Sequence, residues 1–309
     1  MAGNSVFVIG SFIMGLTIRV PRAAAPGESL MGSEFDMGPG GKGLNLALAI
    51  RRAGGEVRLV MSIGRDIFGQ YALDTLKREG LSLEHIHQVD DQPTGCGFVT
   101  LLPSGENSIV IHAGANNCLR PEHLIELESA IQDCAVVITQ LEVSPGVAET
   151  AMVLGKKHGG MTILNPAPAR PISARTLAHV DILTPNETEA RVLLGLAPDS
   201  KAPTGTLAQR LLELGPGTIV LTQGRRGALI ATARGIRTIA SPTIDVVDST
   251  GAGDAFNGHL AYHLAQGKSV EEAVGQAVYA GAFCAGKLGV INGLPTAREL
   301  EYFIKRQSV

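Results

Sequence analysis

The sequence predicts an α/β fold: a three-layer, doubly wound, mostly parallel β-sheet with a small β-sheet lid. Three observations predict it. Short apolar runs alternate with stretches whose apolar residues recur three and four apart. The runs are near-continuous in hydrophobicity, as strands covered on both faces are, and helices join such strands in parallel. Two segments, 16–37 and 96–112, break the alternation and supply the lid. No internal repeat or low-complexity linker divides the 309 residues, so 1–309 read as one domain with the lid segments inserted.

The elements follow in order. Val6–Ile9 is the first buried strand. The segment 16–37 places Pro21, Pro26 and Gly27 between β-like runs. Leu44, Ala47 and Leu48 mark one face of a helix. Val57–Ile63 is the next strand. Residues 96–112 read as a hairpin turning at Pro103–Asn107. Strands follow at Ala135–Thr139, Met161–Leu164, Val180–Leu183, Thr218–Leu221 and Ala228–Ala231. Phe256, Leu260 and Leu264 mark a late helix. The two irregular segments together suit a small separate sheet; the alternative makes them edge strands of the main one.

Composition narrows the function. Apolar residues are 45% and charged residues 18%, with a net charge of −3, so a large core is expected and disorder is not. Without a basic stripe, nucleic acid is not an expected partner. Cysteines 96, 118, 134 and 284 form no CxxC pair, which points to reduced thiols. The N-terminal stretch lacks a charged, then apolar, secretory pattern, and no apolar run is long enough to span a bilayer. The expectation is a cytoplasmic protein with no membrane partner.

Four stretches carry chemistry. In "GPGGKGLNLALAI" (38–50) the glycines formally match a dinucleotide fingerprint, but the preceding segment is polar and short, and Lys42 is followed by Gly43 rather than Ser or Thr. What remains is backbone that a ligand can approach at Gly40 and Gly41, with Lys42 and Asn45 beside it. In "DILTPNETEARVLLG" (181–195), Asn186 and Glu189 fall about one helical turn apart, where they can order the water shell of Mg²⁺; taken alone, the segment also reads as a helix cap with a first-turn acid. In "VLTQGRRGALI" (220–230) a buried strand ends at Thr222, and Gly224 and Gly227 in the turn after it leave room for a flat or phosphorylated ligand; taken alone, the segment reads better as a simple β-turn between strands. In "DSTGAGDAFNG" (248–258), a helix starting near Gly253 would leave the N–H groups of Ala252, Gly253 and Asp254 unpartnered. Such a start attracts anions, and Asp254 beside it can take a proton from an attacking hydroxyl. His259 and His263, four apart, lack the intervening Glu of a zinc-protease helix and read as ordinary helix residues.

As a set, these stretches resemble the ribokinase-like (PfkB-type) family of carbohydrate and nucleoside kinases. The resemblance covers essentially the whole chain in order: "GGKGLN" (40–45), "NETE" (186–189) and "STGAGDAFNG" (249–258). "IHAGAN" (111–116), "QLE" (140–142) and "LNPAPAR" (164–170) are similar to its ribokinase branch. The resemblance implies an ATP-dependent sugar kinase acting on a primary hydroxyl of a pentose or related sugar, with Mg²⁺ and a K⁺ activator, and a homodimer formed through the lid; the alternatives are a nucleoside kinase on the same scaffold and, behind it, a non-catalytic sugar or nucleotide sensor. It implies Asp254 as general base and Gly251, Ala252 and Gly253 as the anion hole. Gly41, Lys42, Asn45 and Glu142 match sugar-contacting positions. Asn186, Thr222, Gly224 and Gly227 match the nucleotide site, and Asn186 with Glu189 the Mg²⁺ neighbourhood. Asp248 and Thr250, with Gly289 and Gly293, match the monovalent-cation loop.

One departure concerns the sugar. After the first strand the family usually carries an Asn and, two residues later, an Asp that hold hydroxyls. In "GSFIMGL" those places fall to Ile13 and Gly15. A site that loses such partners loses discrimination for hydroxyls, so strict ribose specificity is not expected.

Overall fold

The structure, a computed structural model, describes residues 3–104 and 106–307. Its strands are β1 (Val6–Ile9), β2 (Ile13–Arg19), β3 (Glu34–Gly40), β4 (Val57–Gly64), β5 (Ile86–Val89), β6 (Cys96–Leu101), β7 (Asn107–His112), β8 (Val136–Thr139), β9 (Met161–Leu164), β10 (Ile182–Leu183), β11 (Thr218–Thr222), β12 (Ala228–Thr232) and β13 (Gly235–Ile239). Nine of them form the main sheet, in the order β13-β12-β11-β10-β9-β8-β1-β4-β5. Only β12 runs against its neighbours. The strand expected at Val180–Leu183 is shorter, Ile182–Leu183, though Asp181 still joins both neighbours, its N–H donating to Thr162 O (3.1 Å) and its carbonyl accepting from Thr218 N (2.8 Å).

Alternation along β1 shows why both faces are covered. Val6 and Val8 enter one apolar core, with the helices Lys42–Arg52, Ala252–Ala265 and Val270–Ala285. Phe7 and Ile9 enter the other, with the helices Pro145–Lys157 and Thr204–Leu212. All four residues are fully buried. β1 lies between β4 and β8, so the order reverses there, and the crevice at the carboxyl ends of β1 and β8 is the natural ligand position.

Two helices converge on that crevice and are fixed by close backbone contacts. A Cβ on Gly43 would lie 2.1 Å from Gly10 Cα, so the start of helix Lys42–Arg52 lies directly on the chain leaving β1. A Cβ on Gly258 would lie 2.4 Å from Ala49 Cβ, so helix Ala252–Ala265 presses against the first with only the Ala49 methyl between at that point.

The two irregular segments do form a separate sheet, ordered β3-β2-β6-β7. It extends further than expected, starting at Ile13 and running to Gly40, since β2 and β3 stay in register from Ile13↔Gly40 to Arg19↔Glu34. One face begins with Met14, buried in the first core, and ends in exposed Phe35, Phe98 and Val110. Ile13, Gly15, Gly38 and Gly97 share the opposite face.

Candidate active site

Polar residues follow the carboxyl ends of four parallel strands near the crevice. Ser11 follows β1, Gln140 and Glu142 follow β8, Asn165 follows β9, and Thr184 and Asn186 follow β10. Ser11 ties several together. Its hydroxyl donates to Glu142 Oε2 (2.6 Å) and accepts from Gly43 N (3.1 Å) and Gln140 Nε2 (3.2 Å). Glu142 Oε2 also accepts from Lys42 N (2.9 Å). The start of helix Lys42–Arg52 is thus anchored to residues about 30 and 100 positions away in sequence.

Asp254 sits in the first turn of helix Ala252–Ala265 and is only 6% exposed. Asn45 Nδ2 donates to its Oδ2 at 2.7 Å. Lys42 Nζ lies 4.0 Å from its Oδ1, near enough for attraction and too far for a hydrogen bond. Burial pushes the Asp254 carboxyl above its ordinary value, more than Lys42 and Asn45 pull it down. Burial would lower Lys42, but the charges of Asp254, Glu142 and Glu189 outweigh it and hold the ammonium above its ordinary value. The result is a buried carboxylate with one oxygen fixed and the other facing a cation, an arrangement suited to taking a proton from a hydroxyl. Asn45 Oδ1 is buried and meets no donor among the described residues, leaving an acceptor to spare.

The turn before this helix is shaped by Gly251, which caps it at φ +81°, a left-handed conformation open to glycine. A Cβ there would also strike Val290 Cγ1 at 2.5 Å. Ala252 N–H turns back to Ser249 O (3.2 Å), so only part of the expected cradle is open; Gly253 and Asp254 N–H meet no carbonyl among the described residues. A Cβ on Gly253 would meet nothing within 4 Å. Gly253 faces a cavity of about 490 Å³, lined also by Thr222, Gly224, Gly227, Phe256 and Val278. The cavity thus has polar backbone at one end and apolar walls at the other, as a nucleotide requires.

Asn186 and Glu189 bond reciprocally, backbone to side chain, at 2.8 Å each way. They form a capping box, so the capping and ligand-facing readings of this segment coexist. Burial lifts the Glu189 carboxyl above its ordinary value, against the bond from Asn186 and the charge of Lys42. A bridge between Asn186 and Thr222 brings this helix start to the cavity rim.

In the 248–250 loop, Asp248 accepts N–H bonds from Thr250 (2.9 Å) and Gly289 (3.2 Å). Burial pushes its carboxyl up, but these bonds outweigh that and hold it below its ordinary value. Gly293 stands apart from the carboxylate. Its N–H donates to Gly289 O (3.0 Å), and a Cβ on it would lie 2.8 Å from Cys284 Sγ.

Residue by residue, the structure gathers Lys42, Asn45, Glu142 and Asp254 with Gly41 and Gly251–Gly253, and places Thr222, Gly224 and Gly227 on the adjoining cavity. Sequence reading missed Ser11 and the chain from Thr184 through Asn257 to Gly253 O, linked at 2.6 and 2.8 Å. A Ser just past a fully apolar strand was the one available signal for Ser11. His259 and His263 belong to no metal cluster among the described residues. Burial drives them down to about 3 and about 4, so they stay neutral.

A model of the pfkB family carbohydrate kinases matches residues 4–297. Ribokinase of Haemophilus influenzae is 34% identical over 98% of this chain and 99% of its own. Deoxyribokinase of Salmonella typhi is 31% identical over 97% and 98%. The structure of Arabidopsis thaliana ribokinase complexed with ribose and ATP superposes with a TM-score of 0.92 at 27% identity, covering 99% of each chain.

Proposed function

We propose that this chain, which belongs to the pfkB family of carbohydrate kinases, transfers the γ-phosphate of ATP to a primary hydroxyl of a pentose or related sugar. The observation that carries this reading is the position of Asp254. It lies between the 490 Å³ cavity, whose rim is bare backbone, and the polar group formed by Lys42, Asn45 and Glu142. ATP occupies the cavity, with Thr222, Gly224 and Gly227 beside it and its γ-phosphate at the helix start behind Gly251, where the Gly253 and Asp254 N–H groups are open. The sugar lies on the opposite side. Glu142 Oε1 and Asn45 Oδ1 take its hydroxyls, and Gly41 lets it approach the backbone. Asp254 receives the proton as the hydroxyl attacks, while Lys42 and the helix start offset the charge on the moving group. The small sheet closes over the sugar and excludes water, the competing acceptor. The whole chain acts as one kinase domain.

Two ions fit this frame. No group of three or more His, Cys, Asp or Glu side chains is placed to hold a metal among the described residues. Mg²⁺ would be carried by ATP and its waters and would neutralise phosphate charge, with Glu189 and Asn186 as outer partners of those waters. The 248–250 loop, with Asp248 kept ionised and the Thr250 carbonyl beside it, suits a monovalent cation such as K⁺; Gly289 takes part through its N–H, and Gly293 is the weakest member of that set. The exposed Phe35, Phe98 and Val110 of the small sheet suit a homodimer formed through the lid. No helix among the described residues is long and apolar enough to cross a membrane.

The test is stoichiometric. With Mg·ATP and a sugar panel, ADP and sugar phosphate should appear one to one. ADP without sugar phosphate, or no ADP with any sugar, would sink the reading.

A further inference from the structure

The surroundings of the proposed acceptor are lopsided. On the Asp254 side stand the polar side chains Lys42, Asn45 and Glu142. On the side of the small sheet the register lines up one row across all four strands: Gly38 opposite Gly15, Gly15 opposite Gly97, and Gly97 opposite Ile111. Three adjacent strands thus present bare backbone, and the fourth presents an apolar side chain. Ile13 stands one step along the same face, opposite Gly40, two residues ahead of Lys42. A Cβ on Gly97 would touch Ile13 Cγ2 at 3.4 Å and Ile111 Cγ1 at 3.7 Å, so the two isoleucines flank the glycine floor. Ile13 is 9% exposed yet belongs to neither core, and a Cβ on Gly38 would meet nothing within 4 Å. The alternate face, with Met14, points into the first core, so this one faces away from it.

We infer that the acceptor is a deoxypentose, whose hydroxyl-poor edge lies against Ile13, Ile111 and the Gly38–Gly15–Gly97 row; the inference rests on the sugar-kinase reading. Within this row no side chain can hydrogen-bond a hydroxyl, so a hydroxyl placed there loses water and gains no side-chain partner. Deoxygenation at that edge removes the penalty. An apolar wall rejects an added hydroxyl only moderately, so the expected preference over ribose is roughly ten- to a hundredfold in kcat/KM.

The experiment measures kcat/KM for D-ribose, 2-deoxy-D-ribose, 3-deoxy-D-ribose and adenosine, with ATP binding followed by thermal shift. One deoxypentose should exceed ribose by at least tenfold. Ile13→Asn should cut that ratio by tenfold or more through better use of ribose. Gly38→Asn adds a polar group in open space, leaves the fold intact and should move the ratio the same way. Ribose matching or exceeding both deoxypentoses overturns the inference while leaving the kinase intact. So does a preference for adenosine, or a ratio unmoved in both folded variants. Turnover of no sugar by protein that binds ATP overturns the kinase reading itself.

Discussion

Two walls enclose the proposed acceptor, and they are built on different terms. At the Asp254 wall, polar groups hold one another: Ser11 joins Glu142, Gln140 and Gly43, and Asn45 holds Asp254. The wall of the small sheet has a glycine row and two isoleucines, with no hydrogen bond between side chains along the row. The first wall is overdetermined, so one changed side chain there leaves buried partners unsatisfied. The second is underdetermined, so change there alters what fits and little else. Chemistry belongs to the first and choice of sugar to the second.

The strongest way to break this contrast is Asp254→Asn. Loss of a general base typically costs roughly 10²–10⁴ in rate, so kcat should fall by that much while ATP binding persists. If Ile111→Ala cost as much, the division between the walls would fail. Gly253→Ala comes next. Its methyl would enter the open space where phosphate is proposed to sit, so turnover should fall tenfold or more. Stability, followed by thermal denaturation, should hold or rise by up to about 1 kcal/mol, because alanine favours a helix.

The pH dependence sharpens the first wall. A base acts when ionised, and burial raises the Asp254 carboxyl, so kcat/KM should fall as pH drops through a value above the ordinary 3.8. Residual activity of Asp254→Asn should lack that limb. Stability runs the opposite way. The folded state holds this proton more tightly than the unfolded chain, so the contribution of Asp254 is full below its unfolded value and is lost as pH rises through the folded one. The gap between wild type and Asp254→Asn should therefore move against wild type as pH rises, by chemical denaturation.

Ser11→Ala should cost about 1–3 kcal/mol of stability by leaving buried partners unpaired, and should raise KM for the sugar more than for ATP. The smallest effect belongs to the outer face of the small sheet. Val110→Glu should yield monomers by sedimentation, with kcat within a few-fold of wild type.

The sequence revealed the parts of this site that are local. Asp254 follows its glycines directly, and Asn186 and Glu189 share a turn, so spacing alone placed them together. What stayed hidden depends on topology. Ser11 and Glu142 are 131 residues apart, and Thr184 and Asn257 are 73 apart. Nothing in either segment names its partner until β1 lies beside β8 and helix Ala252–Ala265 packs on the sheet. The boundary of the small sheet was blurred for another reason. The expected segment stops at 37, before the glycines and proline of "GPG" at 38–40, yet pairing with β2 holds those residues extended. The glycine row was invisible because Gly15, Gly38 and Gly97 become neighbours only through strand register.

The contact of Gly258 with Ala49 and that of Gly43 with Gly10 have a bearing on descent. They lock the helices carrying Lys42, Asn45 and Asp254 to each other and to β1 without any ligand's help. The reacting groups are therefore spaced by parts that never meet a sugar. A lineage can rewrite the small sheet, one substitution at a time, and try new acceptors without retuning the phosphoryl-transfer geometry. Divergence should collect in that sheet and be scarce at the four contact positions.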